Sequence, residues 1–207
     1  MSGSASISHR TIEFVASDGA TLVGDLAVPA APRGAAIICH PHPQYGGDRF
    51  NNVVTALFEA LPRAGVAAFR FDFRSTFSGG AGERLDAIAA LDVVATEAPG
   101  APLIAVGYSF GALVALGLDD DCVAALVLVA PPLAMAPNLE APGVHTLVLT
   151  PAHDQFSPPS ASGPIIATWT TAPVDHQVVE TADHSLVGHT ASVADAVTAW
   201  ISLRVSS

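Results

Sequence analysis

Apolar and polar residues alternate with the period of a β-strand near the start of the chain. The alternation covers TIEFVAS (residues 11–17) and ATLVGDLAVP (20–29), and the pair Asp18-Gly19 lies between them. Two alternating runs joined by an Asp-Gly pair predict a β-hairpin. The next run, AAIICH (35–40), is apolar at nearly every position, which is typical of a strand buried on both faces of a sheet.

Amphipathic helices then alternate with further strands. In residues 51–64 the apolar side chains fall on one helical stripe, which ends at Gly65. The same reasoning predicts the remaining elements, which are strands at 66–73, 102–109, 123–132, 145–152 and 176–183 and helices at 82–98, 110–118 and 193–205. Residues 159–169 are predicted to form a short helix that is interrupted at Pro164.

This order of elements predicts the fold class. Strands that alternate with helices form a mostly parallel sheet with helices on both faces and right-handed crossovers. We expect one doubly wound α/β domain that spans residues 1–207, with about residues 1–10 as a loose N-terminus. A chain of 207 residues is long enough to bury a sizeable core as a single domain.

The N-terminus and the two cysteines indicate the cytoplasm. No apolar run approaches the roughly 20 residues that cross a bilayer, and residues 1–14 lack the basic start and the apolar core of a secretory signal. Cys39 and Cys122 lie in apolar, strand-like runs, where buried and reduced thiols are typical of a cytosolic protein. We therefore expect a cytoplasmic protein that does not bind a membrane.

The charged residues exclude several classes of partner. The formal net charge is -11, and all eight basic residues are arginines. An acidic surface repels phosphate backbones, so we expect no nucleic-acid partner. Without lysine the chain has no Walker lysine for nucleotide phosphates and no residue that forms a Schiff base with pyridoxal phosphate. We expect no cofactor and a small-molecule substrate, and the sequence leaves the oligomeric state open.

A candidate nucleophile lies at the end of one predicted strand. The motif GYSFG (107–111) connects an apolar run to an alanine-rich run. Glycines two residues to either side of a serine suit a nucleophile elbow, the tight strand-to-helix turn that exposes a serine hydroxyl. In an open α/β sheet, functional residues collect at the carboxyl ends of the strands, where Ser109 is expected to lie. We therefore predict Ser109 as a nucleophile.

A serine nucleophile needs a base and an acid farther along the chain. Among eight histidines, His184 follows the last predicted strand and precedes the last helix, so it is the predicted base, with His189 as the main rival. Asp154 follows another strand, where the acid that orients the imidazole is expected, although an Asx turn is an alternative role for it. Asp72 lies near an earlier strand end, and Asp183 adjoins the histidine, where geometry disfavours the required hydrogen bond.

Five stretches of the chain together resemble a known family. They are HPHPQYGGDRFNNVV (40–54), FRFDFR (69–74), GYSFGA (107–112), DQF (154–156) and ADHSLVGH (182–189). The combination spans about residues 10–200 and is similar to the small dienelactone-hydrolase-related esterases of the α/β-hydrolase superfamily that carry an HPHP-x-x-GG signature. The resemblance implies an α/β-hydrolase fold and a serine hydrolase with Ser109, Asp154 and His184 as its catalytic triad. Dienelactone hydrolase itself has a cysteine nucleophile where this chain has serine.

The resemblance also implies an oxyanion hole. In this fold one donor lies in the loop after the third strand and the other directly after the nucleophile, which indicates the backbone N–H groups of His42 and Phe110. Pro41 and Pro43 lack an N–H and stiffen the loop. Alternatively, His40 and His42 could bind zinc, but an H-x-H pair lacks a third ligand at useful spacing. We expect no metal, with His40 as a side chain that braces the loop.

The predicted connection between residues 132 and 145 is only about a dozen residues long. We therefore expect no lid domain and an open cleft. The candidate residues of the cleft rim are Tyr45, Phe77, Tyr108 and Phe156. The predicted function is hydrolysis of a carboxylic ester through an acyl-enzyme. A thioesterase or a lactone-processing enzyme of a biosynthetic pathway would use the same residues, and a non-catalytic hydrolase-like protein would use the cleft to bind a ligand.

Overall fold

The computed structural model describes residues 6–119, 121–136 and 139–205. Within these ranges eight strands form one sheet: β1 (Ile7–Val15), β2 (Thr21–Pro29), β3 (Gly34–Cys39), β4 (Val66–Phe71), β5 (Leu103–Tyr108), β6 (Val123–Val129), β7 (His145–Pro151) and β8 (Val174–Val179). In the same ranges five α-helices pack on the sheet: α1 (Asn52–Arg63), α2 (Ala81–Ala95), α3 (Phe110–Leu116), α4 (Pro159–Ile166) and α5 (Thr190–Ser202). None of these described helices is long and apolar enough to cross a membrane.

The strand order in the sheet is β1-β2-β4-β3-β5-β6-β7-β8. The pairs β1–β2 and β2–β4 are antiparallel, and all the pairs from β4 to β8 are parallel. After β3 the chain adds β4 on one side of it, and then adds β5 to β8 on the other side. The carboxyl ends of β3 and β5 therefore lie beside each other at the point where the order of strands reverses. The predicted fold class, a mostly parallel and doubly wound sheet, is confirmed.

The sheet separates two layers of buried side chains. Ile37 of β3 packs in the layer under α2, α3 and α4, and its neighbour Ile38 packs in the layer under α1 and α5. All six residues of β3 are buried, as its continuous apolar run predicts. Burial of one large aliphatic side chain contributes roughly 1.5–3 kcal/mol to the free energy of folding. The two layers of buried side chains therefore stabilise the sheet from both faces.

The N-terminal strand begins earlier than the sequence predicts. Residues 7–10, expected to belong to a loose N-terminus, pair with residues 26–29 of β2. Residues 1–5 lie outside the described part of the chain. β1 is an edge strand, and residues 8–10 are exposed on it. Because these exposed residues are polar, the apolar alternation that identifies a strand is hidden there.

Helix α4 continues through Pro164, where the sequence predicts an interruption. Proline lacks the N–H that would bond to the carbonyl four residues earlier. Both Pro164 and Ser160, which carries that carbonyl, are exposed. Water can therefore solvate the carbonyl, and the missing hydrogen bond does not end the helix.

The two cysteines lie in different surroundings. Cys39 is buried at the end of β3, as predicted, and burial raises the pKa of its thiol. Cys122 is exposed, so the prediction that it is buried is wrong. It belongs to the turn that leads into β6, and only the strand that follows enters the core.

A buried ion pair connects the loop after β4 to α2. Asp86 of α2 is fully buried, and its carboxylate accepts hydrogen bonds from the Arg74 guanidinium at 2.7 Å and from the Arg74 N–H at 2.9 Å. The hydrogen bonds to Asp86 and to Asp18 raise the pKa of Arg74. A buried charge that loses its partner is strongly destabilising, so this pair contributes to the position of the loop.

Arg74→Leu is expected to lower the free energy of unfolding by about 3–5 kcal/mol, because Asp86 stays buried and loses its partner. Arg63→Leu is the matched control, since Arg63 pairs with Glu59 at 3.9 Å on an exposed part of α1. Such exposed pairs contribute less than about 1 kcal/mol. Urea denaturation followed by circular dichroism measures both variants. Equal losses of stability in the two variants would contradict the importance of the buried pair.

Candidate active site

The turn at Ser109 connects β5 to α3 and has an uncommon backbone conformation. Ser109 has φ 55° and ψ -120°, and such conformations cost about 1–3 kcal/mol. A Cβ atom on Gly107 would lie 2.2 Å from the carbonyl oxygen of Gly111, and a Cβ atom on Gly111 would lie 2.2 Å from that of Cys39. Both glycines are therefore required by close backbone contacts. The strand, turn and helix predicted around the GYSFG motif are present.

The three residues predicted to form the site are joined by one chain of hydrogen bonds. The Ser109 hydroxyl lies 2.8 Å from His184 Nε2, and His184 Nδ1 lies 2.8 Å from Asp154 Oδ2. An ionised carboxylate only accepts hydrogen bonds, so Nδ1 donates its proton to Asp154 and Nε2 accepts the serine hydroxyl. This arrangement can take a proton from Ser109 and stabilise the imidazolium that results.

Asp154 is held by the loop that follows β7. Its side chain is fully buried, and its Oδ1 atom accepts hydrogen bonds from the N–H groups of Phe156 at 2.8 Å and Ser157 at 3.0 Å. Burial alone would raise the pKa of this carboxyl, but the hydrogen bonds from His184, Ser157 and Phe156 hold the pKa below its ordinary value. Asp154 thus forms the turn considered from the sequence and also presents an ionised oxygen to His184.

His184 lies in the loop between β8 and α5. Strand β8 ends at Val179, earlier than predicted, because the backbone turns at Thr181 with φ 60°. The N–H of His153 donates to the carbonyl of Ala182 at 2.8 Å, which connects this loop to the one that carries Asp154. His184 itself is buried, so its hydrogen bonds are largely shielded from water.

The rival residues take part in other contacts. His189 directly precedes α5. Asp183 accepts a hydrogen bond from the N–H of Ser185 at 2.9 Å, and Asp72 forms an ion pair with Arg49. Within the described ranges, none of these three rival side chains joins the hydrogen-bonded chain that starts at the serine hydroxyl.

The two N–H groups predicted to form an oxyanion hole lie in segments that contact each other. His42 follows β3 and Phe110 begins α3, and their rings pack with a centroid distance of 4.9 Å. Neither backbone N–H donates a hydrogen bond to an acceptor in the described part of the chain. A Cβ atom on Gly47 would lie 2.1 Å from the carbonyl oxygen of Pro41. The last glycine of the HPHP-x-x-GG signature therefore allows the loop to fold back on itself.

His40 uses both of its ring nitrogens within the protein. Its Nδ1 atom lies 2.6 Å from the carbonyl oxygen of Pro41, and its Nε2 atom accepts a hydrogen bond from the N–H of Phe73 at 3.0 Å. Burial lowers the pKa of His40, which favours the neutral ring with its proton on Nδ1. The side chain thus braces the loop against the chain that follows β4. Within the described residues, no three His, Cys, Asp or Glu side chains are grouped so as to hold a metal ion.

Three of the four predicted rim residues are accessible. Tyr45 is 88% exposed. Phe156 is also exposed, and its ring packs edge-on against His184 at a centroid distance of 4.7 Å. Phe77 is half-buried, with its ring 4.5 Å from that of His42. These aromatic side chains come from three different loops, and their rings lie against those of His42 and His184.

The prediction for the fourth rim residue, Tyr108, is wrong. Tyr108 is 4% exposed, and its hydroxyl donates a hydrogen bond to the backbone carbonyl of His184 at 2.7 Å. As the last residue of β5, it points into the core. The sequence carries no pattern that reveals this contact, because β5 is buried at nearly every position and a tyrosine in such a strand resembles any other core residue.

The connection between β6 and β7 has no helical lid among its described residues. It contains one 3-10 helix, Leu133–Met135, and residues 137–138 lie outside the described ranges. The N–H of Ala134 donates to the Ser157 hydroxyl at 3.2 Å, so this short helix lies against the loop that carries Asp154. The described residues of this connection therefore form no lid domain, as predicted.

Several solved structures are similar to this chain. An alpha-beta serine hydrolase homologue from Coxiella burnetii is 26% identical and superposes with a TM-score of 0.84, with 92% of this chain and 96% of that chain covered. A member of the a/b serine hydrolases without a lid, XC6422 from Xanthomonas campestris, is 24% identical with a TM-score of 0.86 and 96% of each chain covered. At this sequence identity, the similarity to XC6422 shows that the two chains share a fold.

Sequence comparisons lead to the family. The uncharacterized protein RP471 of Rickettsia prowazekii is 38% identical over 97 residues, which are 44% of this chain and 40% of that protein. The match therefore covers less than half the length of this curated relative. Residues 17–206 match the model of the Alpha/beta hydrolase family, which is nearly the whole chain. The chain belongs to the Alpha/beta hydrolase family.

Proposed function

We propose that the protein is a serine hydrolase that cleaves carboxylic esters of small molecules, with Ser109, His184 and Asp154 as its catalytic triad. The observation that carries this proposal is the chain of hydrogen bonds from the serine hydroxyl through both ring nitrogens to the buried carboxylate, with 2.8 Å at each link. A serine hydroxyl is a poor nucleophile until a neighbouring base takes its proton. Similarity to the serine hydrolase homologue from Coxiella burnetii supports the same class of reaction.

In the proposed first half-reaction, Ser109 Oγ attacks the ester carbonyl carbon while His184 Nε2 takes the hydroxyl proton. The carbonyl oxygen becomes an oxyanion, which accepts hydrogen bonds from the backbone N–H groups of His42 and Phe110. The C–O bond to the leaving group then breaks, and the imidazolium donates its proton to the departing oxygen. An alcohol leaves, and the acyl group remains on Ser109 as an ester.

In the second half-reaction, water takes the place of the alcohol. His184 Nε2 accepts a proton from the water as the water oxygen attacks the acyl carbon. The second oxyanion collapses, the proton passes to Ser109 Oγ, and the carboxylic acid is released. The pKa of Asp154 is held below its ordinary value, so this carboxylate stays ionised and stabilises the imidazolium in both halves. The cycle restores the starting protonation state.

The HPHP-x-x-GG loop supports a place among the small dienelactone-hydrolase-related esterases. The loop carries the His42 N–H, and the close contact at Gly47 explains why the signature needs its last glycine. Thioester and lactone carbonyls would react with the same residues, so the proposed substrate is a small ester or thioester. The free thiol of the buried Cys39 supports a cytoplasmic location, and the proposed reaction needs no cofactor.

Ser109→Ala is expected to lower kcat for a short-chain chromogenic ester by about 10⁴- to 10⁶-fold, because it removes the attacking oxygen. Ser160→Ala, at an exposed position of α4, is the matched control and should keep the wild-type kcat. Steady-state kinetics of the purified variants measure both effects, and circular dichroism checks that each is folded. Turnover by Ser109→Ala near the wild-type rate would reject the assigned nucleophile.

Asp154→Asn is expected to lower kcat by about 10⁴-fold, because an amide in place of the carboxylate favours the wrong tautomer of the imidazole. Asp183→Asn is the matched control, since the Asp183 carboxylate bonds within its own loop. His184→Ala should be nearly inactive, whereas His189→Ala should keep most of its activity. The same ester assay measures all four variants. An inactive His189→Ala beside an active His184→Ala would show that the base has been assigned to the wrong histidine.

Esters with short acyl chains are expected to be the preferred substrates, because a site without a helical lid buries little of a long chain. Even in a fitted pocket, one added methylene changes the activation free energy that determines kcat/KM by at most about 1–3 kcal/mol. Values of kcat/KM for p-nitrophenyl esters from acetate to palmitate test this, with thioesters of the same acyl groups compared in parallel. A steep rise in rate when a long-chain ester forms micelles would contradict an open site.

A further inference from the structure

The tyrosine before the nucleophile makes a contact that the proposed mechanism does not use. Tyr108 is the last residue of β5, and it belongs to the core layer that also contains Ala182 and Leu186. These two residues flank His184 in the chain. The Tyr108 ring also lies nearly parallel to the His184 imidazole, with an interplanar angle of 29° and a centroid distance of 5.8 Å. The side chain of Tyr108 therefore connects the end of β5, directly before the serine, with the loop that carries the histidine.

The hydroxyl of Tyr108 joins these two segments directly. It donates a hydrogen bond to the backbone carbonyl oxygen of His184 at 2.7 Å, in a buried environment. Burial, together with the negative charges of Asp154 and Asp183, raises the pKa of Tyr108 to about 12. The hydroxyl therefore keeps its proton and remains a donor at neutral pH. A hydrogen bond in a buried environment is electrostatically stronger than one in water.

The loop that carries His184 depends on such contacts because its backbone is strained on both sides. Thr181 has φ 60° and Leu186 has φ 54°, a region that residues other than glycine rarely occupy and that is least suited to a β-branched side chain. Strained conformations persist only where the surrounding structure holds them. The bond from the Tyr108 hydroxyl acts between these two positions, at the carbonyl of the histidine itself.

We propose that Tyr108 is a positioning residue, which holds the backbone of His184 through its hydroxyl and so sets the distance between Ser109 Oγ and His184 Nε2. The inference rests on the proposed function, since it concerns the same serine and histidine. These two residues are 75 positions apart in the chain, whereas Tyr108 is directly bonded to the serine and hydrogen-bonded to the histidine carbonyl. A shift of about 1 Å in a catalytic group can lower a rate by as much as about 10²-fold.

Tyr108→Phe removes the hydroxyl and keeps the ring, so it tests the positioning role. The expected result is a fall in kcat of about tenfold, the effect of one lost hydrogen bond, with KM changed by less than about twofold because the hydroxyl contacts no substrate. Thr146→Val is the matched control. Thr146 is buried at the opposite end of the sheet, and its hydroxyl donates to the carbonyl of Val144 at 2.9 Å. This control should lose similar stability in urea and keep the wild-type kcat.

A second readout needs no ester substrate. Inactivation by a fluorophosphonate requires attack by Ser109 with His184 as the base, so its rate should fall in Tyr108→Phe by about the same factor as kcat. Tyr108→Leu removes the hydroxyl with a side chain of another shape, and it should show the same fall if Tyr108→Phe does not fold.

The outcomes separate this inference from the proposed function. Wild-type kcat and inactivation rate in the folded Tyr108 variants, or losses that Thr146→Val reproduces, would overturn the positioning role and leave ester hydrolysis standing. A wild-type protein that reacts with neither esters nor the fluorophosphonate would reject the proposed function, and the positioning role with it.

Discussion

Two hydrogen bonds hold the strained backbone of Ser109 in place: its N–H donates to the carbonyl of Val129, and its carbonyl accepts from the N–H of Ala112, each at 2.9 Å. The first bond joins the turn to β6 and the second joins it to α3. Because φ is positive at this residue, the hydroxyl leaves the alternation of the strand and projects toward His184. The hydrogen bond from Ser109 to His184, and through it the contact with Asp154, depends on where this hydroxyl is placed.

The parallel half of the sheet supplies those other groups at the same edge. Asp154 and His184 lie in the loops that follow β7 and β8, which are neighbours in the sheet. Ser109 follows β5, which is separated from β7 by β6. The loop after β3 brings His42 to the opposite side of the serine turn, where its ring contacts that of Phe110. The order of the strands places the three side chains of the site side by side. The burial of Asp154 and His184 then strengthens the electrostatic interaction between carboxylate and imidazole.

Much of this arrangement could be predicted from the sequence, because it depends on periodicity and on the order of elements. A continuous apolar run such as 35–40 identifies a buried strand, and positions directly after such strands identified Asp154 and His184. The errors occur where a tertiary contact decides the outcome and no local pattern records it. Residues 7–10 become a strand only by pairing with a neighbour, and the role of Tyr108 appears only when the last loop is placed over its hydroxyl.

The central claim is that Ser109 carries the acyl group during ester hydrolysis. The most direct measurement is to quench the wild-type protein in acid during the first turnovers of p-nitrophenyl acetate, digest it, and locate the acetyl group by mass spectrometry. We predict at most one acetyl group per molecule, on the peptide that contains Ser109, in an amount equal to the initial burst of p-nitrophenol. An acetyl group that matches the burst but lies on a different residue would contradict the claim.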